Sequence, residues 1–140
     1  MKHRIATADD SPILAEMNYA LIHDEEHRNP MTTPQLEERM RGWLTTGEYR
    51  AVLFEENNEV VAYALFCETD VEVHLRQLFV ARHRRRQGIG RRAMQELFAI
   101  WPRNKRWTVS ALVTNAPGVA FWRAVGYVDY ELTFEIVPHD

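Results

Sequence analysis

The sequence predicts one α/β (α+β) domain with its elements in the order β-α-α-β-β-β-α-β-α-β. Three observations carry this. Apolar residues recur at helical spacing in some stretches and at alternate positions in others. Ser-Pro and Thr-Pro pairs stand where helices would start, and glycines where they would stop. With 140 residues, 46% of them hydrophobic and 26% charged, the chain has the balance of a single globular domain spanning residues 1–140.

Residues 3–6 suit a short first strand. Ser11 before Pro12 reads as a helix cap with proline in the first turn, and Ile13, Leu14, Met17, Ala20 and Leu21 then repeat as one apolar stripe. Thr33-Pro34 gives the same signal for a second helix with Leu36, Met40, Trp43 and Leu44 on its apolar face, stopped by Gly47. Residues 50–54 and 60–67 are strand-like runs joined by the polar turn 55–59. Residues 71–80 form a further strand, whose alternation predicts Val71, Val73, Leu75, Gln77 and Phe79 on one face. A third helix after Gly88 presents Ile89, Ala93, Met94, Leu97, Phe98 and Trp101 to the core, with Pro102 ending it. Residues 107–113 read as a strand, 118–125 as a short helix stopped by Gly126, and 127–137 as a last strand.

Chemistry concentrates in residues 78–98, LFVARHRRRQGIGRRAMQELF, where a strand passes through an arginine-rich loop into two glycines and a helix. A helix start leaves amide N–H groups without partners and carries partial positive charge, so it suits a phosphate. Gly88 and Gly90 lack a Cβ and let a ligand approach the main chain. The fragment Gly88-Ile89-Gly90-Arg91-Arg92-Ala93 also satisfies the dinucleotide pattern G-x-G-x-x-A. It does not follow a first strand, however, and Ser110 stands near the place where that motif needs an acid. A Walker A loop is excluded because no G-K-[ST] follows.

The spacing of Arg85, Gly88 and Gly90, with Val80 upstream, resembles the acyl-CoA-binding motif of the GNAT N-acetyltransferase superfamily. Arg82 replaces a frequent proline of that motif and Arg86 a frequent glycine. Residues 115–127, NAPGVAFWRAVGY, resemble a second signature of the family, N-x-x-A-x-x-(F/L)-Y-x-x-x-G-F. The element order matches as well, so the resemblance covers the whole chain. It implies a mixed, mostly antiparallel, splayed sheet of about six or seven strands flanked by four helices. It also implies an enzyme that moves an acetyl or other short acyl group from acetyl-CoA to a primary amine by direct attack on the thioester.

Under that resemblance, Arg85, Arg86, Gln87, Gly88, Ile89, Gly90 and Arg91 form the cofactor cradle. The backbone of Leu78, Phe79 and Val80 supplies an oxyanion donor and pantetheine contacts, Asn115 bonds the pantetheine arm, and Trp122 packs beside it. Asn115 reads equally as a helix cap. The amine must lose a proton, and His74 and Glu72 are the candidate bases; an ordinary strand histidine is the plain alternative. Many relatives place a tyrosine, acting as general acid, where this chain has Trp122. An indole N–H cannot do that work near neutral pH, so the acid is unassigned.

Asp24, Glu25 and Glu26 lie where the family shapes its acceptor pocket, and their charge suits a small cationic acceptor. A solvated acidic helix end is the alternative. His23, Asp24, Glu26 and His27 lack further ligands, so no metal is expected. The net charge of −3 argues against a nucleic-acid partner, and no apolar run reaches the roughly 20 residues that span a bilayer. The first residues lack the apolar core of a signal peptide, and the cytoplasm is the expected location. Cys67, alone in an alternating strand, reads as a packing residue and not a nucleophile. Dimers are common in the family, which leaves a homodimer open, with the last strand available to pair across an interface. The missing tyrosine leaves a second function open, a non-catalytic acyl-CoA sensor or scaffold. A basic nucleic-acid module is a third, weaker reading.

Overall fold

A computed structural model describes residues 1–101 and 104–139. Five strands form one sheet in the order β1-β2-β3-β4-β5: β1 (Lys2–Ile5), β2 (Arg50–Glu56), β3 (Glu59–Glu68), β4 (Glu72–Val80) and β5 (Arg106–Val109). The first four pair antiparallel, and β5 joins β4 in parallel after a crossover through α3 (Ile89–Ile100). Helices α1 (Ser11–Asp24) and α2 (Thr33–Thr46) follow β1, and α4 (Ala116–Val125) follows β5.

The sheet is apolar on both faces, and strand alternation sorts its residues between two cores. Val52, Phe54, Ala62, Ala64 and Phe66 meet Ile89, Ala93, Met94 and Leu97 of α3 on one face. Ala51, Leu53, Tyr63 and Leu65 meet Leu14 and Leu21 of α1 and Met40 of α2 on the other. The β2–β3 hairpin closes through Asn57 and Asn58, both left-handed at φ 53° and 64°, a geometry that matches strand twist and that asparagine tolerates well.

Four expectations need correction. The α1 cap is Asp10 rather than Ser11, because a 3-10 turn, Ala8–Asp10, precedes the helix and Ser11 is buried in its first turn. Thr32, not Thr33, caps α2, with Thr32 Oγ1 accepting from Gln35 N–H and Gln35 Oε1 accepting from Thr32 N–H. Strand β4 does not keep one apolar face. Leu65 pairs with Gln77 but Phe66 with Leu75, so Arg76 bulges out of the ladder and the faces exchange there. Val73 and Leu75 enter the α3 core, whereas Phe79 enters the α1–α2 core and Gln77 turns to accept from the Tyr63 hydroxyl at 2.8 Å. The sheet has five strands, not six or seven: β5 stops at Val109, short of the predicted 113, and residues 127–137 lie outside the sheet. The predicted stop at Pro102 lies outside the described residues.

The α3 face is the firmest part of the packing, with Leu97 fully buried beneath the sheet. Leu97→Ala is expected to lower stability by about 2–4 kcal/mol in urea denaturation, through lost apolar transfer and the cavity left behind.

Candidate active site

Strand β4 ends at Val80 and the chain turns through a 3-10 segment, Arg82–Arg84, into α3. Two left-handed residues shape the approach, Arg86 at φ 63° and Gly88 at φ 75°. Arg86 therefore adopts the conformation that a glycine would take without strain, so the residue type departs from the motif while the backbone shape is kept. The first backbone bond into the helix runs from Arg92 N–H to Gly88 O at 3.1 Å. Among the described residues, no partner occupies the amides of Arg86, Gln87, Gly88, Ile89, Gly90 and Arg91. They form a concave row of donors at the positive end of a helix. The space at Gly90 has a second use: a Cβ there would come within 3.3 Å of the Phe121 ring, so this glycine lets α4 close against α3.

The arginines divide into two groups. Arg82 and Arg85 both bind Asp24 at the end of α1, Arg85 at 2.7 Å, and Arg85 Nε also donates to Val80 O at 2.9 Å. Arg84 and Arg92 bind Glu56 on β2, Arg92 at 3.0 Å. These four pin the loop to the body of the protein. Arg86 and Arg91 are exposed and, among the described residues, have no ion pair, which leaves their charge at the rim. Burial pushes the Asp24 carboxyl up, yet the hydrogen bonds and charge of Arg85 and Arg82 outweigh it and hold the group below the usual carboxylate range.

Beside this cradle the sheet divides. β5 pairs with β4 only from Glu72–Arg106 to Leu75–Val109, where β5 ends, and beyond Leu75 that edge of β4 has no strand partner among the described residues. Ala81 N–H donates to Val61 O at 2.8 Å, toward β3. Because successive residues of a strand turn their N–H groups to opposite edges, those of Val80 and Leu78 face the opening that β5 has left. Phe79 lies on the other face, with the Arg85 guanidinium 5.1 Å from its ring centre.

His74 stands at the root of the split, one residue before pairing ends. Its Nδ1 lies 2.8 Å from Thr108 Oγ1 on β5, and that hydroxyl donates to Glu72 Oε1 at 2.9 Å. A hydroxyl has one proton, so Thr108 accepts from His74 Nδ1–H and leaves Nε2 of the neutral ring as the basic nitrogen. Glu72 also accepts from Arg106 at 3.3 Å, which makes it the anchor of the chain. Thr108 escaped the sequence reading because the strand pairing that brings it to His74 leaves no local signal. Cys67 lies across β4 from His74, and burial pushes its thiol up, away from nucleophilic character.

Asn115 caps α4, its Oδ1 accepting from Gly118 N–H at 3.2 Å, and the side-chain Nδ2 is the donor left over. Trp122 packs edge-on to Phe121 and Tyr127, at 4.9 and 5.4 Å between ring centres. After α1, Glu25 binds His27 at 3.0 Å and Glu26 is exposed in a left-handed turn, φ 55°. A groove of about 710 Å³ is lined by Pro30, Met31, Glu38, Arg39, Trp43 and Glu48 among others. Among the described residues, no three metal-ligating side chains converge.

Two outcomes follow from the loop. Arg86→Gly is expected to raise stability by about 0.5–1 kcal/mol in urea denaturation, since relief of a left-handed side chain exceeds the added chain entropy. Asp24 has a folded-state pKa below its unfolded value, so its contribution is present above the unfolded value of about 3.9 and is lost as pH falls below that value and through the lower folded-state one. Denaturation at pH 7 and pH 2 should show Asp24→Asn less stable than wild type at pH 7, with the difference shrinking at pH 2.

The Acetyltransferase (GNAT) family model matches residues 16–127. No curated protein matches the chain by sequence. Among solved structures, a possible acetyltransferase from Clostridium difficile superposes with a TM-score of 0.80 at 19% identity, covering 99% of this chain and 98% of that one. A predicted acetyltransferase with acetyl-CoA from Clostridium acetobutylicum gives 0.72 at 17%, covering 97% and 95%. An aminoglycoside acetyltransferase from an uncultured soil metagenomic sample, in complex with sisomicin, gives 0.74 at 15%, covering 99% and 95%. At these identities the likeness is one of fold. The family match spans both the unpaired amides and α4, and the chain therefore belongs to the GNAT family of N-acetyltransferases, whose acyl donor is acetyl-CoA.

Proposed function

We propose that the protein transfers an acetyl group from acetyl-CoA to the primary amine of a small cationic acceptor, by direct attack of the amine on the thioester. The observation that carries this is the row of unpartnered amides from Arg86 to Arg91, opening beside the split between β4 and β5. These amides hold the cofactor phosphates, and Arg86 and Arg91 add charge from the rim. Arg85 acts from behind the loop, through Asp24 and Val80 O. The pantetheine arm runs along Leu78, Phe79 and Val80, with Asn115 Nδ2 as a donor and Trp122 and Phe121 as an apolar wall.

The N–H of Leu78 or Val80 stabilises the oxyanion of the tetrahedral intermediate, since both face the opening. His74 Nε2 removes the amine proton, directly or through water, and Thr108, held in turn by Glu72, fixes the ring tautomer and aims that nitrogen. A thiol of ordinary pKa about 8.5 leaves readily enough that water can protonate it, which accommodates Trp122 in place of a tyrosine.

Glu25 and Glu26, with Glu38 and Glu48 along the groove, favour an ammonium-bearing acceptor, while Asp24 serves the arginines. The fold neighbour that is an aminoglycoside acetyltransferase in complex with sisomicin is consistent with that class. The proposed setting is the cytoplasm, where an unpaired thiol such as Cys67 stays reduced. The acting species is proposed to be a homodimer.

Acetyl-CoA is expected to raise the melting temperature of the protein, and Gly90→Arg to abolish that rise. A mass-spectrometric screen of amines with acetyl-CoA should yield acetylated polyamines or aminosugars; a panel with no product would overturn the catalytic reading. With an active acceptor, His74→Ala is expected to lower kcat by about 10²–10⁴-fold and remove the acid limb of the pH–rate profile. An unaltered profile would reject His74 as the base.

A further inference from the structure

Two arginines on the α1–α2 side of the sheet carry charge that the fold leaves uncompensated. Arg39 of α2 and Arg76 of β4 both lie against the Trp43 ring, their guanidinium carbons 4.5 and 4.9 Å from its centre, and Arg76 is also 5.2 Å from the centre of the Tyr49 ring. Their hydrogen bonds go to neutral oxygens. Arg39 donates to Asn18 Oδ1 at 3.3 Å and Arg76 to the Tyr49 hydroxyl at 3.2 Å. Among the described residues neither has a carboxylate partner, whereas Arg82, Arg84, Arg85 and Arg92 each have one.

Donors are in surplus around this pair. Asn18 is fully buried, yet its Nδ2 and the buried Arg39 Nε have no acceptor among the described residues. Gln77 Oε1 already accepts from the Tyr63 hydroxyl. Burial, and then the charge of Arg76, hold the Arg39 guanidinium below its ordinary value. Two like charges and two unanswered donors gathered at one ring call for an anion. Arg76 is exposed and Arg39 lines the groove along α2, so an anion can reach both.

The place of the pair ties it to the chemistry. Val73 and Leu75 enter the α3 core, so His74 between them turns to the α1–α2 face, where Arg76 meets Trp43. The proposed base and the arginine pair thus share one face of β4, two residues or about 7 Å apart along the strand. The groove adds the opposite sign. Glu38 and Glu48 line it with Arg39 and Trp43, and among the described residues neither glutamate has an ion pair. A surface of both signs suits a zwitterion, and it opposes the double charge of a phosphate more than the single charge of a carboxylate.

We infer that the acceptor is a diamino carboxylic acid, cationic overall, whose carboxylate is held by Arg39 and Arg76; this rests on the acetyltransferase reading given above. Glu38 or Glu48 takes the α-ammonium, and the distal amine reaches His74. The α-nitrogen is only two bonds from the carboxylate carbon, too close to span from Arg76 to His74. In the transfer the distal nitrogen bonds to the acetyl carbon, the thioester C–S bond breaks, His74 takes the amine proton, and the departing thiolate is protonated by water.

Matched acceptors test this, because lysine and cadaverine, or ornithine and putrescine, differ only in the carboxylate. With acetyl-CoA, kcat/KM is expected to be at least tenfold higher for the diamino acid of each pair, and lysine amide should behave like cadaverine. In Arg76→Gln, an exposed position, the preference should fall to within about threefold, chiefly through a raised KM for the diamino acid. Equal turnover within each pair, or a preference unchanged in Arg76→Gln, overturns the proposal. Tandem mass spectrometry should find the acetyl group on the distal amine, and an acetylated α-amine would reject the docking described. Calorimetry separates this inference from the reading beneath it, since lysine should bind at least tenfold more tightly than cadaverine whether or not either turns over. If acetyl-CoA leaves the melting temperature unchanged while lysine still binds through Arg76, the carboxylate site stands and the acetyltransferase reading falls. If acetyl-CoA raises the melting temperature while lysine binds no better than cadaverine, the carboxylate site falls.

Discussion

The parting of β4 from β5 after Leu75 is the constraint on which the rest of the molecule depends. A parallel pair costs a long crossover, here taken by α3, and the same crossover brings the start of α3 to the mouth of the opening. A sheet paired along its full length would consume the N–H groups of Leu78 and Val80 and leave no slot for an acyl arm. The split keeps those donors free, places the helix amides at one end of the slot and holds His74 at its root. The proposed function calls for few specialised side chains because the backbone supplies most of the donors.

Keeping such a slot open takes rigidity on either side. Asp24 and Glu56 act as two anchors, each holding a pair of arginines, so that a loop of high positive charge is tied to α1 and β2. The bulge at Arg76 serves the same end by turning Phe79 under α1 and α2 while Val73 and Leu75 stay under α3. Strand β4 is thereby gripped from both faces at the point where it loses its neighbour. Gly90 and Phe121 close the far side, joining α3 to α4 across the mouth.

The sequence was legible where the physics is local. Pro12, Pro34, Gly47, Gly126 and the alternating strands declared their elements to within a few residues, since caps, turns and periodicity act over one or two turns of chain. The loop from Val80 to Gly90 was legible for the same reason, because a strand, a left-handed turn and a helix start follow each other without a break. Side chains whose role depends on a partner elsewhere were not. The Glu72–Thr108–His74 chain spans two strands separated by a crossover, and Asp24 reads as a free acid until the fold brings Arg82 and Arg85 to it. The alternation of β4 also misled, because a single extra residue reverses every later side chain and carries no mark in composition.

By itself the sequence determined the order of elements from β1 to α4 and the glycine turn between Val80 and Gly90, both of which follow from neighbours in the chain. Tertiary structure alone decided which arginines are bound and which are free, which nitrogen of His74 is basic, where the sheet divides, and that residues 128–137 find no place in their own sheet. Each of these is a pairing between distant segments, and pairing is set by the geometry of packing, which no local pattern of residues encodes.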